Sequence, residues 1–346
     1  MWQIALQSWP PQMFERGNSV TTKAVVLVNL GTPDAPTPAA IRRFLAKFLA
    51  DRRVVELPRV LWLVILYGIV IPLRPFKIVP MYKRLWDTFG DSPLRIFAER
   101  LRKKLQEAVN SSVVGSEPAT QIIQAYTYSS PLLVDALDKL QAQSVSKILI
   151  VPQYPQYSAT TTAPIFDQVA HWLTRQRDVP SISLLKDYHD HPAYIAAMAA
   201  RIRHHWQLNG RKARLLFSFH SIPQLCVDRG DPYQRQCEKT AELLIKELAL
   251  VDGEWGMSYQ SRLGRGKWLQ PYTSQLLKQW AKEGVASVDV FCPAFAVDCI
   301  ETIEEIDAEN REVFLGAGGQ SFAYIECLND SDEHVVLFKN LLAEQR

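Results

Sequence analysis

Residues 25–33 read VVLVNLGTP, and residues 215–223 read LLFSFHSIP. Both are apolar runs that lack the polar alternation of a half-exposed strand and then enter a loop ending in proline. A strand that is apolar on both faces must be covered on both, which means a parallel sheet between layers of helix. A second pair repeats the symmetry: ILIVPQYPQYS at 148–158 and VDVFCPAFAVD at 288–298 each run strand, proline, aromatics, helix. Further apolar runs lie at 121–126, 181–185 and 255–260.

Between these runs come helix starts. Thr37-Pro38, Ser92-Pro93, Ser130-Pro131 and Asp231-Pro232 each pair an N-cap oxygen with a proline suited to the first turn. After the first, Ile41, Phe44, Leu45, Phe48 and Leu49 recur at helical spacing. The expected fold is therefore α/β, with two Rossmann-like domains, each a doubly wound parallel sheet, facing each other across a cleft. The expected boundaries are a loose N-terminal extension over 1–22, a first domain over 23–170 with an apolar insert near 60–80, and a second over 171–325. A C-terminal helix over 326–346 packs back on the first domain. In such folds ligands sit at the carboxyl ends of the strands, and His220 stands at one.

A net charge of +3 on 346 residues, with no basic tract, excludes nucleic acid as a natural partner. Cys226, Cys237, Cys292, Cys299 and Cys327 form no C-x-x-C pair and are odd in number. That argues against a disulfide framework or a structural zinc site and fits a reducing cytoplasm. Residues 1–22 lack the features of a signal peptide. From Val60 to Leu73 the chain carries no charge between Arg59 and Arg74. Fourteen residues fall short of the roughly 20 a bilayer requires. Two readings stand: a buried core helix, or an exposed lip built on Trp62, Leu63 and Ile65 that meets a membrane face or an apolar ligand.

Three stretches carry chemistry. His220 can serve as a base or borderline metal ligand, or be a satisfied structural residue. In DCIETIEEIDAENRE, 298–312, Glu301, Glu305 and Glu309 share one helical face just beyond a strand end. That row is either a solvated acidic face or an acidic track that passes protons or attracts a divalent cation. In YQSRLGRGKWLQPYT, 259–273, Trp268 and Tyr272 offer flat contacts to a planar ligand or pack on the core. His189-Asp190-His191 is discounted as a helix start, with Asp190 as its cap, and GAGG at 316–319 lacks a dinucleotide fingerprint.

Taken together and in order, VNLGTPDAPTP, FLADRRVVELPR, VPQYPQYSATTT, FSFHSIP, YQSRLGRGKWLQPYT, FCPAFAVDCIETIEEI and NREVFLGAGG resemble the ferrochelatase family from about Lys23 onward. The resemblance implies a chelatase-like fold and insertion of ferrous iron into protoporphyrin IX, both iron and porphyrin being substrates. It implies catalytic and metal-binding roles for His220 and Glu301 on opposite sides of the macrocycle, with Glu305 and Glu309 continuing an acidic track along a π-like helix. Leu30, Tyr82, Trp268 and Phe295 then line the porphyrin pocket. The lip at 60–73 lies over its mouth and makes a peripheral contact with the inner face of the cytoplasmic membrane. Ala159 stands where cluster-bearing relatives have a cysteine, and the chain reaches Arg346 without a C-terminal cysteine group. No iron–sulfur cluster and no permanently bound cofactor are expected. Cys299 replaces a histidine common among relatives, which shifts the weight to His220 and the glutamates. The alternatives are a chelatase for coproporphyrin or another tetrapyrrole, and a non-catalytic haem or metal carrier.

Overall fold

A computed structural model describes residues 23–111, 120–262, 264 and 266–345. The expected extension at 1–22 lies outside the described residues. Among the described residues, eight strands follow in chain order: β1 (Lys23–Asn29), β2 (Gln121–Tyr126), β3 (Lys147–Pro152), β4 (Ser181–Leu184), β5 (Arg214–His220), β6 (Trp255–Gln260), β7 (Ser287–Phe291) and β8 (Ser321–Ile325). They form two parallel four-stranded sheets with the orders β2-β1-β3-β4 and β6-β5-β7-β8. Replacing each strand number n by n + 4 and reading the pairs β1/β5, β2/β6, β3/β7 and β4/β8 turns the first order into the second. The duplicated plan is real.

Each central strand is buried on both faces, as its unbroken apolar run requires. Val25 and Leu27 of β1 share a core with Leu215, Phe217 and Phe219 of β5, so one body of apolar side chains joins the halves. Ala24, Val26 and Val28 point the other way, against Leu137, Leu140 and Val169 of the outer helices. On β5 the opposite face begins with Leu216, packed against Val290, Leu277 and Ile306. Polar stitches reinforce the joint: Gln156 Nε2 donates to Thr240 Oγ1 at 3.0 Å, and Asp231 accepts from Ser158 Oγ and the Ala159 amide at 2.9 and 2.7 Å.

Several local readings need correction. The boundary at 170 falls inside the helix Thr162–Leu173, and Ser181–Leu184 beyond it pairs with β3, so the first sheet extends past it. After Ser130-Pro131 the helix begins only at Leu133, because the Pro131 carbonyl is occupied by the Tyr126 amide. At 189–191 the cap is His191, whose Nδ1 accepts from the Ala193 amide at 3.2 Å; Asp190 does not cap. β8 has no counterpart among the apolar runs. Its SFAYI is short, sits at the sheet edge and is buried only at Phe322 and Ile325. The helix Asp332–Glu344 lies against both Pro93–Asn110 and Pro192–Asn209 and so bridges elements of the two halves.

The segment from 60 to 73 is part of one helix, Arg59–Phe89, 31 residues long and apolar enough to cross a membrane by length and composition. Its turn Leu66–Val70 opens into π geometry just before Pro72. The buried-core reading fails here: Val60 is 80% exposed, and Leu61, Val64, Tyr67, Ile69, Leu73 and Phe76 are exposed with it. Trp62 and Leu63 turn inward onto the cluster of Phe44, Leu45, Leu49 and Tyr82, and the Trp62 indole donates to the Leu49 carbonyl at 2.6 Å. Ile65 is half-buried. The exposed stripe therefore includes Tyr67, an aromatic suited to an interface, but otherwise belongs to the neighbours of Trp62, Leu63 and Ile65.

Candidate active site

His220 closes β5 and is half-buried, with its Nδ1 2.7 Å from the Ser221 carbonyl. A carbonyl can only accept, so Nδ1 carries the proton and Nε2 is left with a free lone pair. The ring lies 6.3 Å from that of Phe295, on the loop after β7. Trp268 is fixed beside the same turn: it bridges Pro223, while the Gln224 and Leu269 amides donate to the Lys267 and Ile222 carbonyls. His220, Phe295 and Trp268 thus come from the end of β5 and the loops after β7 and β6, at the carboxyl ends of the second sheet.

The acidic row stands on a helix of π geometry, Glu301–Asn310. π-turns are rare and usually single, and they concentrate at functional sites. Asp298, 3% exposed, anchors the entry to this helix by accepting from Thr302 Oγ1, Tyr324 Oη and Asn329 Nδ2 at 2.9, 2.5 and 2.6 Å. Glu301 is half-buried and within electrostatic reach of Arg74 and Tyr82 from the lip helix. Burial draws the Arg74 guanidinium below its ordinary value, opposed by Tyr82 and Glu301. Burial also holds the Tyr82 phenol well above its usual range, so it stays protonated.

Glu305 accepts from the Ser261 amide at 2.6 Å and from its hydroxyl. Burial raises its carboxyl above the ordinary range, while Ser261 and then His220 pull it back. Glu309 reaches solvent, and partial burial together with repulsion from Glu304 raises it as well. The row thus runs from the half-buried Glu301 and Glu305 to the exposed Glu309.

On the other wall, Leu30 and Tyr82 pack in one cluster with Tyr128, Trp86 and Ile300, the residue before Glu301. Phe295 joins a second cluster with Tyr126, Val297 and Cys299. The sequence reading overlooked four residues here: Arg84, Glu304, Gln260 and Ser261. Two of them carried a signal. Gln260 and Ser261 follow β6 at its carboxyl end, the same rule that drew attention to His220.

Elsewhere, ligand atoms of Asp187, His189 and Asp190 lie within 4.8 Å of one another. They are already engaged: His189 Nδ1 pairs with Asp187 at 3.0 Å, and Gln236 Nε2 donates to the same carboxylate at 3.0 Å.

Two parallel sheets in one repeated order, with polar side chains gathered at their carboxyl ends, define an α/β protein of the chelatase fold. SirB from Bacillus subtilis, solved with Fe3+, has this fold at a TM-score of 0.54 and 13% identity, covering 93% of this chain and 95% of that one. The sirohydrochlorin chelatase SirB of Bacillus subtilis subspecies spizizenii, in complex with cobalt, gives 0.53 and 14% over 93% and 94%. The ferrochelatase family model matches residues 22–346. Ferrochelatase 1 of Shewanella oneidensis is 45% identical over 93% of this chain and 95% of its own. The Vibrio vulnificus ferrochelatase is 45% identical over 95% and 100%. The chain belongs to the ferrochelatase family, enzymes that insert metal into porphyrin.

Proposed function

We infer that the protein inserts ferrous iron into protoporphyrin IX to form haem. Metalation exchanges two pyrrole N–H protons for one Fe2+, so the site must accept two protons while four ring nitrogens replace the iron's waters. The observation that supports this reading best is the pairing of unlike proton acceptors. In the neutral imidazole of His220, Nδ1 donates to the Ser221 carbonyl and Nε2 is the acceptor, and Glu305, with a raised carboxyl, lies within its electrostatic reach. In this reading His220 accepts a pyrrole proton on one face of the ring. Glu301, at the inner end of the row, works on the other, and Glu305 and Glu309 connect it to solvent. Leu30, Tyr82, Trp268 and Phe295 hold the macrocycle by apolar and stacking contact.

The exposed stripe of the lip favours protoporphyrin over a ring with four carboxylates, which demands a wetter, more basic rim. The same stripe fits a cytoplasmic enzyme that touches the membrane's inner face peripherally. The reading assigns no iron–sulfur cluster. Ala159 offers no side-chain ligand for iron, and the five cysteines, at 226, 237, 292, 299 and 327, form no C-x-x-C pair.

The test is an anaerobic assay of Fe(II) with protoporphyrin IX, followed by loss of porphyrin fluorescence, with coproporphyrin in parallel. Catalytic turnover with protoporphyrin supports the reading. Turnover with coproporphyrin alone transfers it to that ring, and stoichiometric binding without turnover makes the protein a carrier.

A further inference from the structure

The outer face of the second sheet changes character along its strands. Leu216 and Val290 lie in an apolar cluster that still includes Cys292, but one step along β5 and β6 stand the hydroxyls of Ser218 and Ser258. The hydroxyls of Ser218 and Ser258 both pair with Thr273 Oγ1, at 2.8 and 2.9 Å. The next step on β5 is His220, and its registered partner on β6 is Gln260.

Gln260 is 3% exposed, and both ends of its amide are engaged. Its Oε1 accepts from Ser218 Oγ at 2.7 Å and from the Cys292 thiol at 3.5 Å. Its Nε2 donates to the Glu301 carbonyl at 3.0 Å. These neighbours fix which way the amide points, since a flip would set a carbonyl oxygen against the Glu301 carbonyl. The following residue, Ser261, has φ +67°, a left-handed turn that brings its amide and hydroxyl onto Glu305.

We propose that Gln260 is a positioning residue for metal insertion: it sets the register of the acidic π-helix against His220, and Ser261 completes the hold at Glu305. One end of the strand pair carries the imidazole, and the amide beside it grips the backbone of the first glutamate in the row. A π-helix of ten residues is unusual, and these bonds hold its first turns from outside. A shift of its first turn would move Glu301 and Glu305 together relative to His220. This role rests on the metal-insertion reading above.

The test compares Gln260→Glu and Gln260→Met with the wild type in the Fe(II)/protoporphyrin assay from pH 6 to 9, alongside porphyrin affinity and melting temperature. Gln260→Met removes both hydrogen bonds at similar length. It is expected to lower kcat about 10- to 100-fold with porphyrin affinity unchanged, the scale of an ångström-level misplacement. Gln260→Glu sets a carboxylate against the Glu301 carbonyl when ionised and restores a donor when protonated. Its activity relative to wild type should therefore rise as pH falls, which a purely structural loss does not produce. Wild-type kcat and pH profile in a folded Gln260→Met protein overturn the proposal. So does a loss of kcat that only tracks the unfolded fraction. Should Gln260→Glu not fold, Gln260→Met decides alone. A wild-type protein that makes no haem refutes the function itself, independently of either variant.

Discussion

Arg84 holds Glu304: its Nε lies 3.0 Å from Oε2, joining the end of the lip helix to the π-helix. The carboxylate is 5% exposed and the guanidinium 58%, so the acid has given up water and the base has not. Removing the base strands a buried charge, while removing both partners does not. Arg84→Ala is expected to destabilise the protein by about 2 kcal/mol, a value below that of a fully buried pair because one partner is wet. Arg84→Ala with Glu304→Gln should regain most of that loss. Chemical denaturation of the two single variants and the double variant measures the coupling. Additive effects would mean that the pair does not act as a unit.

His220 and Glu301, the proposed proton acceptors, stand on different elements, β5 and the π-helix. His220→Ala and Glu301→Gln are each expected to lower kcat for iron insertion at least about 100-fold, the usual weight of a proton-transfer group. Neither residue lies in the main apolar clusters, so protoporphyrin binding, read by quenching of protein fluorescence, should persist. Near-normal turnover in either variant would remove it from the chemistry.

Glu305 makes stability depend on pH in a defined direction. Its folded carboxyl titrates above its unfolded value because of burial. Between those two values the folded state binds more protons than the unfolded, so stability falls as pH rises through the window. Below the unfolded value the penalty is absent; above the folded value it is fully present. Glu305→Gln keeps an acceptor for the Ser261 amide and removes the charge. It should therefore be more stable than wild type at pH 7.5, with the gain vanishing below about pH 4. Urea denaturation at both pH values checks this, and equal stability at pH 7.5 contradicts it.

How much of this was legible in the sequence follows from what each residue depends on. The strand runs, the duplication, His220 at a strand end and the spacing of Glu301, Glu305 and Glu309 are local patterns, and all can be read from a few consecutive residues. β8 escaped although SFAYI is largely apolar: it is five residues long, and only Phe322 and Ile325 are buried. Arg84 and Glu304 escaped because their partnership spans 220 positions, and the doublet Glu304-Glu305 looks like more solvated acid until one member proves buried. Gln260 was invisible for another reason. A glutamine after a strand is unremarkable until both ends of its amide are found engaged. Across the lip, composition gave the apolar character but mostly the wrong members, since an all-apolar run carries no periodicity from which the phase of the helix Arg59–Ile65 against Phe44 and Leu49 can be read.

That phase decides how the lip must be tested. Aspartate at Leu63 strikes the cluster around Phe44 and Leu49, so loss of folding would mask any effect on binding. Leu61 and Val64 are 56% and 67% exposed, and substitution of such surface positions usually changes stability by no more than about 0.5 kcal/mol. Leu61→Asp with Val64→Asp should therefore leave the melting temperature almost unchanged. It should weaken co-sedimentation with vesicles of mixed neutral and anionic lipid, because two apolar contacts become two charges repelled by the surface. Porphyrin affinity for the free protein, measured without vesicles, separates the lip's two roles. A drop in porphyrin affinity alone makes the stripe part of the pocket, a drop in vesicle binding alone makes it a membrane contact, and no change in either removes it from both.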